Sequence, residues 1–504
     1  MRSLNETKFL KKLQSLKNKK KKIVLCHGVF DLLHLGHIEH FKSAKKFGDY
    51  LIVSLTQDKF IKKGPGRPLF NQQQRMEFLR NIKIIDQVIL SKTESSIDTI
   101  NFVKPDFYIK GPDYKDYSKD KTKKIILEEK AVKKNKGKIK FTNDETFSSS
   151  NILNNSNFIF NDEQRNFIKN LKKNFDYNQV SKTLSKFRKL SVLVIGELII
   201  DKYCFGDVIG KSGKEPHLVL KENFTEYYLG GSAAIARHLS TFVGEVRIIS
   251  PFGNENFFEK MIKKDFNKNI KRFFFKPYSS FGTITKTRFV DSNSNYKLFG
   301  SYLLPNKMDL KLENKVLKII KKNKLKTDMT LICDYGHNFI SKKIAGEIVK
   351  KNNYTFLNAQ VNASNKGFHS INKYSSINSI ILNENELRQE LKDNTSDIQF
   401  LAKKLINSKK IKNLLITRGA SGAILVNNNN KIFSCPGFAK KSIDKVGAGD
   451  AMLSLASLGL KLKLDPELIL FISSLAAAIS VESLGNKEHV TYNKLDRVLE
   501  YILK

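Results

Sequence analysis

Cysteine is scarce in this chain of 504 residues: Cys26, Cys204, Cys333 and Cys435 are scattered, without the close pairs of a metal site. That spacing argues against a disulfide framework and fits buried free thiols in a reducing cytosol. Long hydrophobic runs are lacking too. No stretch approaches the roughly 18 unbroken apolar residues of a membrane span, so a soluble, cytoplasmic chain with no membrane attachment is expected. The opening "MRSLNETKFLKKLQSLKNKKKK" is basic but has no apolar segment ending in a small-residue cleavage site, unlike a secretory signal. No repeat with a period of about 20 to 50 residues is evident, which excludes a solenoid. Acidic residues are few beside basic ones, 49 against 89, giving a formal net charge of +40. A nucleic-acid-associated protein would use such an excess, and that class stays open. Lysine is nevertheless spread along the whole chain and no nucleic-acid-binding signature accompanies it. A solvated surface, with no specific nucleic-acid partner, is the expectation.

Apolar material is plentiful, with 40% hydrophobic residues and 36 Phe. The length exceeds one ordinary domain of about 100 to 200 residues, so at least two are expected. From Lys22, apolar strands ("KIVLCHGVF", "DYLIVSLT", "DQVIL", "PDFYIKG") alternate with helices ("GHIEHFKSAKKFG", "NQQQRMEFLRNI", "SSIDTINFVK") and close near "FSSSNILNNS". This alternation predicts a parallel α/β sheet over residues 1–155. Residues 156–189 are polar and lysine-rich, with Phe167, Ile168, Leu171 and Phe175 at helical spacing, and predict a helical linker. The strand-like run "LSVLVIGELIIDKY" opens a second α/β unit over 190–504.

Within "CHGVFDLLHLGHIEHF", His34 and His37 flank Leu35 and Gly36 where a strand hands over to a helix. Imidazoles at a helix start can donate to an anion beside the helix's own N–H groups, and Gly36 lets a phosphate approach the backbone. Two histidines satisfied in a helix cap is the plainer alternative. In the C-terminal half, "DKVGAGDAMLSLASLGL" sets Gly447, Ala448 and Gly449 before Asp450 at the start of an apolar helix. A carboxylate beside such an anion hole can take a proton from an attacking hydroxyl. An Asp that merely caps the helix is the alternative there.

"GVFDLLHLGH", followed in order by "KKGPGRPLFNQQQRMEFL", "VKPDFYIKGPDY" and "GKIKFTNDETFSSSNIL", resembles the nucleotidyltransferase family of glycerol-3-phosphate cytidylyltransferase and of the adenylyltransferase half of the bifunctional heptose-phosphate enzymes of lipopolysaccharide core synthesis. The resemblance covers about residues 20–155 and implies a Rossmann-like sheet in which a sugar phosphate attacks the α-phosphate of ATP or CTP. By it, His34 and His37 hold the phosphates, and Gly28, Phe30, Asp31 and Gly36 shape the nucleotide pocket. Lys62, Lys63, Arg75, Lys110, Ser148, Ser149 and Ser150 are its further phosphate contacts. Taken singly, each of these lysines reads as solvated surface.

"GELIID", "YLGGSAAIARHL", "ILNENE", "LLITRGASGAILV" and "GAGD" resemble the ribokinase or PfkB family of carbohydrate kinases over about residues 190–500. "TITKTRFV" and "CDYGH" resemble the kinase half of the same heptose-phosphate enzymes, in which the kinase normally comes first. The resemblance implies a ribokinase-like α/β domain with a small β lid, through which such relatives often dimerise, and an ATP- and Mg2+-dependent reaction. By it Asp450 is the base and Gly447, Ala448 and Gly449 the anion hole. Asp201, Gly230 and Gly231 face the sugar, Asp334 is a sugar-side or structural carboxylate, Asn383 and Glu386 lie near phosphate and magnesium, with Glu386 an indirect metal contact, and Thr417, Gly419 and Gly422 border the nucleotide. The family's "AANVA" is replaced by Ser232, Ala233, Ala234 and Ile235, its threonine by Lys445, and a "DPKG"-like segment by a stretch bearing Asn358, Asn362 and Asn365. The expected protein is a bifunctional enzyme of sugar activation, acting on sugar phosphates and nucleoside triphosphates. The alternative is an active transferase joined to a kinase-like sugar-binding module without turnover.

Overall fold

The computed structural model describes residues 4–61, 64–93, 95–114, 124–142, 159–276, 282–305, 310–350, 354–440 and 443–504. The chain divides into two compact units, Met1–Asp162 and Glu163–Lys504.

In the first unit, β1 (Ile23–Gly28), β2 (Tyr50–Thr56), β3 (Gln87–Ser91), β4 (Phe107–Lys110) and β5 (Lys138–Phe141) form a parallel sheet in the order β3-β2-β1-β4-β5. Continuous apolar strands suit a sheet covered on both faces. Alternation along them sends Val24, Cys26, Leu51 and Val53 to one core with Phe41 and Leu79. Ile23, Leu25, Ile52 and Tyr108 go to another, with Leu13, Ile100 and Val103. The strand order reverses between β1 and β4, and open parallel sheets bind ligands beyond the strand ends at such a point. The chain leaving β1 there enters the helix Leu35–Lys45.

The second unit holds a larger sheet: β6 (Ser191–Gly196), β9 (Glu245–Pro251), β10 (Ile270–Phe275), β13 (Met329–Asp334), β14 (Tyr354–Ala359), β15 (Ser379–Asn383), β16 (Asn413–Thr417), β17 (Ala423–Asn427) and β18 (Ile432–Cys435). Their order is β10-β9-β6-β13-β14-β15-β16-β17-β18, parallel as far as β16 and antiparallel beyond. A separate sheet, β12-β11-β7-β8, is built from β7 (Leu198–Lys211), β8 (Leu218–Gly231), β11 (Thr285–Asp291) and β12 (Lys297–Leu303). This small sheet stands where the resemblance implied a β lid.

The run "LSVLVIGELIIDKY" is not one strand, as its hydrophobicity had predicted, but two in different sheets. At Gly196 the chain runs so close to β13 that a Cβ would stand 2.1 Å from the Cys333 carbonyl oxygen. At Glu197 the carbonyl accepts the amide of Ser232. Its carboxylate accepts those of Tyr335 and His337. With these groups committed off the ladder, pairing with the main sheet ends and resumes in the smaller one. The helices Asp162–Asn174 and Tyr177–Lys186 pack on the second unit: Phe167 meets Phe438 and Phe471, and Tyr177 and Ser181 both donate to Asp496. Among the described residues no helix is long and apolar enough to cross a membrane.

Candidate active sites

In the first unit His34 stands at the N-cap of the helix Leu35–Lys45 with extended backbone, and its imidazole makes no capping bond. The His34 and His37 rings lie 4.0 Å apart between centroids. Both are partly exposed, so neither is packed into the interior. Burial lowers the His34 pKa; at neutral pH it is a neutral imidazole with one N–H to donate. Phe30 fixes the neighbouring ring, meeting His37 edge-on at 5.4 Å. To do so it adopts φ +49, a region a bulky residue enters only when its surroundings hold it there. Its ring lies over Gly28, where a Cβ would come within 2.9 Å. Gly36 lies in the first turn of the helix.

Other residues of this site are committed elsewhere. Arg75 was expected to meet phosphate, but its side chain is fully buried, donating to the carbonyls of Phe70, Val29 and Thr56 and pairing with Asp58. It ties the helix Gln72–Arg80 to the ends of β1 and β2. Lys110, also expected on phosphate, is buried in an ion pair with Glu128 at 2.9 Å. Asp31 is buried too, binding Arg67 at 2.6 Å and the amides of Leu69 and Phe70, so it frames the pocket loop. Lys62, Lys63, Ser148, Ser149 and Ser150 lie outside the described residues.

In the second unit the helix Ala448–Lys461 is capped by Gly447, so Asp450 is not its cap. Gly447 needs to be glycine on two counts: φ is +91, and a Cβ would stand 2.2 Å from Asn486 Oδ1. Ala448 opens the helix, and Gly449 has open space where a side chain would be. Asp450 accepts a hydrogen bond from the Tyr335 hydroxyl on Oδ1 at 3.1 Å. Its surroundings push its pKa up to about 7, chiefly through desolvation with the charge of Asp201 adding to it, against the Tyr335 hydrogen bond and the Lys286 ammonium. A base poised near neutrality is what abstraction of a hydroxyl proton calls for.

Asp201 on β7 is near enough for its charge to act on Asp450, and is bonded to Arg288 Nη1 at 2.6 Å and to Asn486 Nδ2 at 3.4 Å. Gly230 admits it, since a Cβ there would lie 2.2 Å from Asp201 Oδ2, and Gly231 turns the chain at φ +58 into the helix Ser232–Ser240. Asp334, expected toward the sugar, is sealed by Tyr374 Oη at 2.6 Å, Lys373 Nζ at 2.5 Å and the Gly336 amide. It braces the turn after β13. Asn362 and Asn365 brace that turn from the other side, both donating to the Tyr335 carbonyl, and Asn358 donates to Ile381.

Asn383 caps the helix Glu384–Leu391 and Glu386 closes the capping box, its oxygens accepting the amides of Asn383 and Val361. Burial raises its pKa to about 7 against those bonds. Among the described residues no group of three or more His, Cys, Asp or Glu could hold a metal ion. Thr417 ends β16, while Gly419 and Gly422 take positive φ in the turn to β17; a Cβ on Gly422 would strike the Cys435 carbonyl oxygen at 2.0 Å. Lys445 is exposed. The sequence motifs contain Tyr335, Lys286 and Glu197, but only the folded chain brings the first two to Asp450 and sets Glu197 behind the Tyr335 peptide.

Residues 189–491, more than half of the chain, match the family model "pfkB family carbohydrate kinase", and residues 25–183 match "Cytidylyltransferase-like". The "Bifunctional protein HldE" of Campylobacter jejuni subsp. doylei is 40% identical over 125 residues, 23% of this chain and 27% of that protein. The protein of the same name from Methylobacillus flagellatus is 37% identical over 112 residues, 22% of this chain and 23% of its own length. The matched stretch thus spans about a quarter of the length of these curated relatives, and lies in the N-terminal region. Among solved structures, phosphofructokinase-2 from Escherichia coli aligns with TM-score 0.51 and 14% identity, covering 63% of this chain and 99% of that one. Its complex with substrates and products aligns at TM-score 0.50 and 16% identity, covering 63% of this chain and 100% of that one. At that identity the likeness shows the fold. The chain belongs to the pfkB family of carbohydrate kinases and carries a cytidylyltransferase-like domain ahead of its kinase domain.

Proposed function

We propose that the chain is a bifunctional enzyme of sugar activation, an ATP-dependent carbohydrate kinase and a sugar 1-phosphate nucleotidyltransferase, serving nucleotide-activated heptose or a related sugar of a surface glycan. The observation that carries this reading is Asp450. It is a carboxylate with a pKa near neutrality beside a glycine-opened helix start, sharing a cleft with Asp201.

In the kinase reaction the sugar, oriented by Asp201, offers a hydroxyl whose proton passes to Asp450 as its oxygen attacks the γ-phosphorus of ATP. The amides of the 447–449 turn receive the charge on the moving group. Thr417, Gly419 and Gly422 border the nucleotide. Magnesium, when bound with the nucleotide, neutralises phosphate charge. Glu386 fits a contact through water, since each of its oxygens already accepts one backbone N–H and keeps a further lone pair. In the transferase reaction a sugar-phosphate oxygen attacks the α-phosphorus of ATP or CTP and pyrophosphate leaves. His34 and His37 donate to the phosphates at the helix start, with Gly28 and Phe30 setting their position. Both substrates belong to the cytoplasm. A homodimer through the smaller sheet of the kinase unit is supported by its exposed Phe224, Phe299 and Leu303.

The test is a pair of single variants of the full chain, assayed against nucleoside triphosphates and heptose, hexose and polyol acceptors with and without phosphate. Loss of a positioned base costs about 100- to 10,000-fold. Asp450→Asn is expected to lose sugar-dependent ADP formation on that scale while pyrophosphate release continues, and His37→Ala to do the reverse. Asp450→Asn with undiminished ADP formation refutes the kinase assignment.

A further inference from the structure

Lys286 lies on β11, opposite Tyr302 on β12 and Asp201 on β7. Its side chain is only 6% exposed, and an ammonium is seldom taken from water without an anion against it. Arg288, two residues further along the same face, has such an anion in Asp201. Lys286 does not: among the described residues its Nζ makes no hydrogen bond or ion pair, and lies over the rings of Tyr302 at 5.2 Å and Tyr335 at 5.9 Å. The Tyr335 hydroxyl is the one that donates to Asp450. The ammonium therefore stands beside the base and feels the carboxylates of Asp201, Glu197 and Asp450 without bonding any of them. Burial lowers its pKa, a penalty that an arriving anion offsets.

We propose that Lys286 is a catalytic residue of the kinase reaction, its ammonium binding the phosphoryl group in transit from ATP to the sugar hydroxyl. The assignment rests on the kinase reading of Asp450. In the step, the hydroxyl O–H bond breaks and its proton goes to Asp450. A bond forms between that oxygen and the γ-phosphorus. The bond from the γ-phosphorus to the β,γ-bridging oxygen breaks, and its electron pair leaves on ADP. Lys286 keeps its proton throughout and neutralises charge on the non-bridging oxygens. Its lack of a bonded partner among the described residues leaves it open for this anion, whereas Arg288 is occupied in holding Asp201.

Lys286→Met and Lys286→Arg in the full chain test this, with two readouts. One is ADP release with whichever acceptor the wild-type chain phosphorylates. The other is calorimetric binding of ADP alone and of ADP with aluminium fluoride, a mimic of the phosphoryl group in transit. Lys286→Met is expected to lose about 100-fold or more in kcat and a similar factor in binding ADP with aluminium fluoride, with ADP alone bound within about twofold of wild type. Lys286→Arg recovers part of both. Wild-type kcat in Lys286→Met overturns the assignment, and so does equal weakening of ADP with and without fluoride. If Lys286→Met does not fold, Lys286→Gln, which also removes the charge, decides by the same comparison, unchanged kcat with unchanged fluoride binding overturning it. Should Asp450→Asn fall while Lys286→Met does not, only the lysine is misassigned. Should neither matter, or the wild-type chain phosphorylate nothing, both readings fall together.

Discussion

A carboxylate in the first turn of a helix ordinarily ionises easily, because the helix start carries partial positive charge. Asp450 runs the other way, raised to about 7 by burial and by Asp201, with Tyr335 and Lys286 restraining the rise. In its proposed role as base it works only when ionised, and a raised pKa means that it ionises only above about pH 7. The kcat/KM for sugar phosphorylation is therefore expected to fall about tenfold per pH unit on acidification below that point. A pH–rate profile flat down to the ordinary carboxylate range would contradict it. Asp450 and its glycines were legible in the sequence because their signal is local: four adjacent residues make both the turn and the acid. Lys286 was not, since its meaning depends on a cross-strand register and on two tyrosines distant in the chain. Arg75, Lys110 and Asp334 were misread for the complementary reason. A sequence displays charge but not the partner that consumes it, and each of these buried groups is paired, with Asp58, Glu128 or Lys373.

Asp444 joins several elements. It accepts from Tyr203 on β7 at 2.7 Å, Lys297 on β12 at 2.6 Å, and the amides of Val446 and Gly485, both at 3.1 Å. One buried carboxylate thus ties two strands of the smaller sheet to the turn that precedes Gly447. Asp444→Ala leaves a buried hydroxyl and two amides without their acceptor and is expected to destabilise the kinase unit by about 2–4 kcal/mol. Lys297→Met removes only the exposed end of the tie and is expected to cost about 1 kcal/mol or less. Urea unfolding of the two variants checks the ordering, and equal losses would refute it. The elements themselves were mostly legible, because apolar strands alternating with amphipathic helices leave little choice of sheet type. Where the reading failed, at "GELIID", periodicity continued without a break. What divides the run is the approach of Cys333 to Gly196 and the amides that Glu197 accepts, neither of which is local in sequence.

The whole molecule has its cores in two units, and this makes damage separable. Arg75 has no exposed surface and four acceptors, all within the first unit. Arg75→Met leaves the carbonyls of Phe70, Val29 and Thr56 without their donor and is expected to destabilise that unit by about 2–4 kcal/mol. In calorimetry one transition should move while sugar-dependent ADP formation at moderate temperature is unchanged; a uniform shift of all melting would argue against separate units. The two-unit plan was legible from length and from the second strand run, and the large positive charge misleads only if it is read as a patch. Within the kinase unit the corner at Glu197 has a further consequence. The larger and the smaller sheet are joined there by successive strands of one backbone, β6 and β7, with no linker to absorb error between them. The side chain at that corner also steadies the peptide of Tyr335, the hydroxyl donor to the base. Injury at this single position would spread at once to the junction of the two sheets, to the start of the helix Ser232–Ser240 and to the turn that carries Tyr335, so few residues can replace Glu197 there.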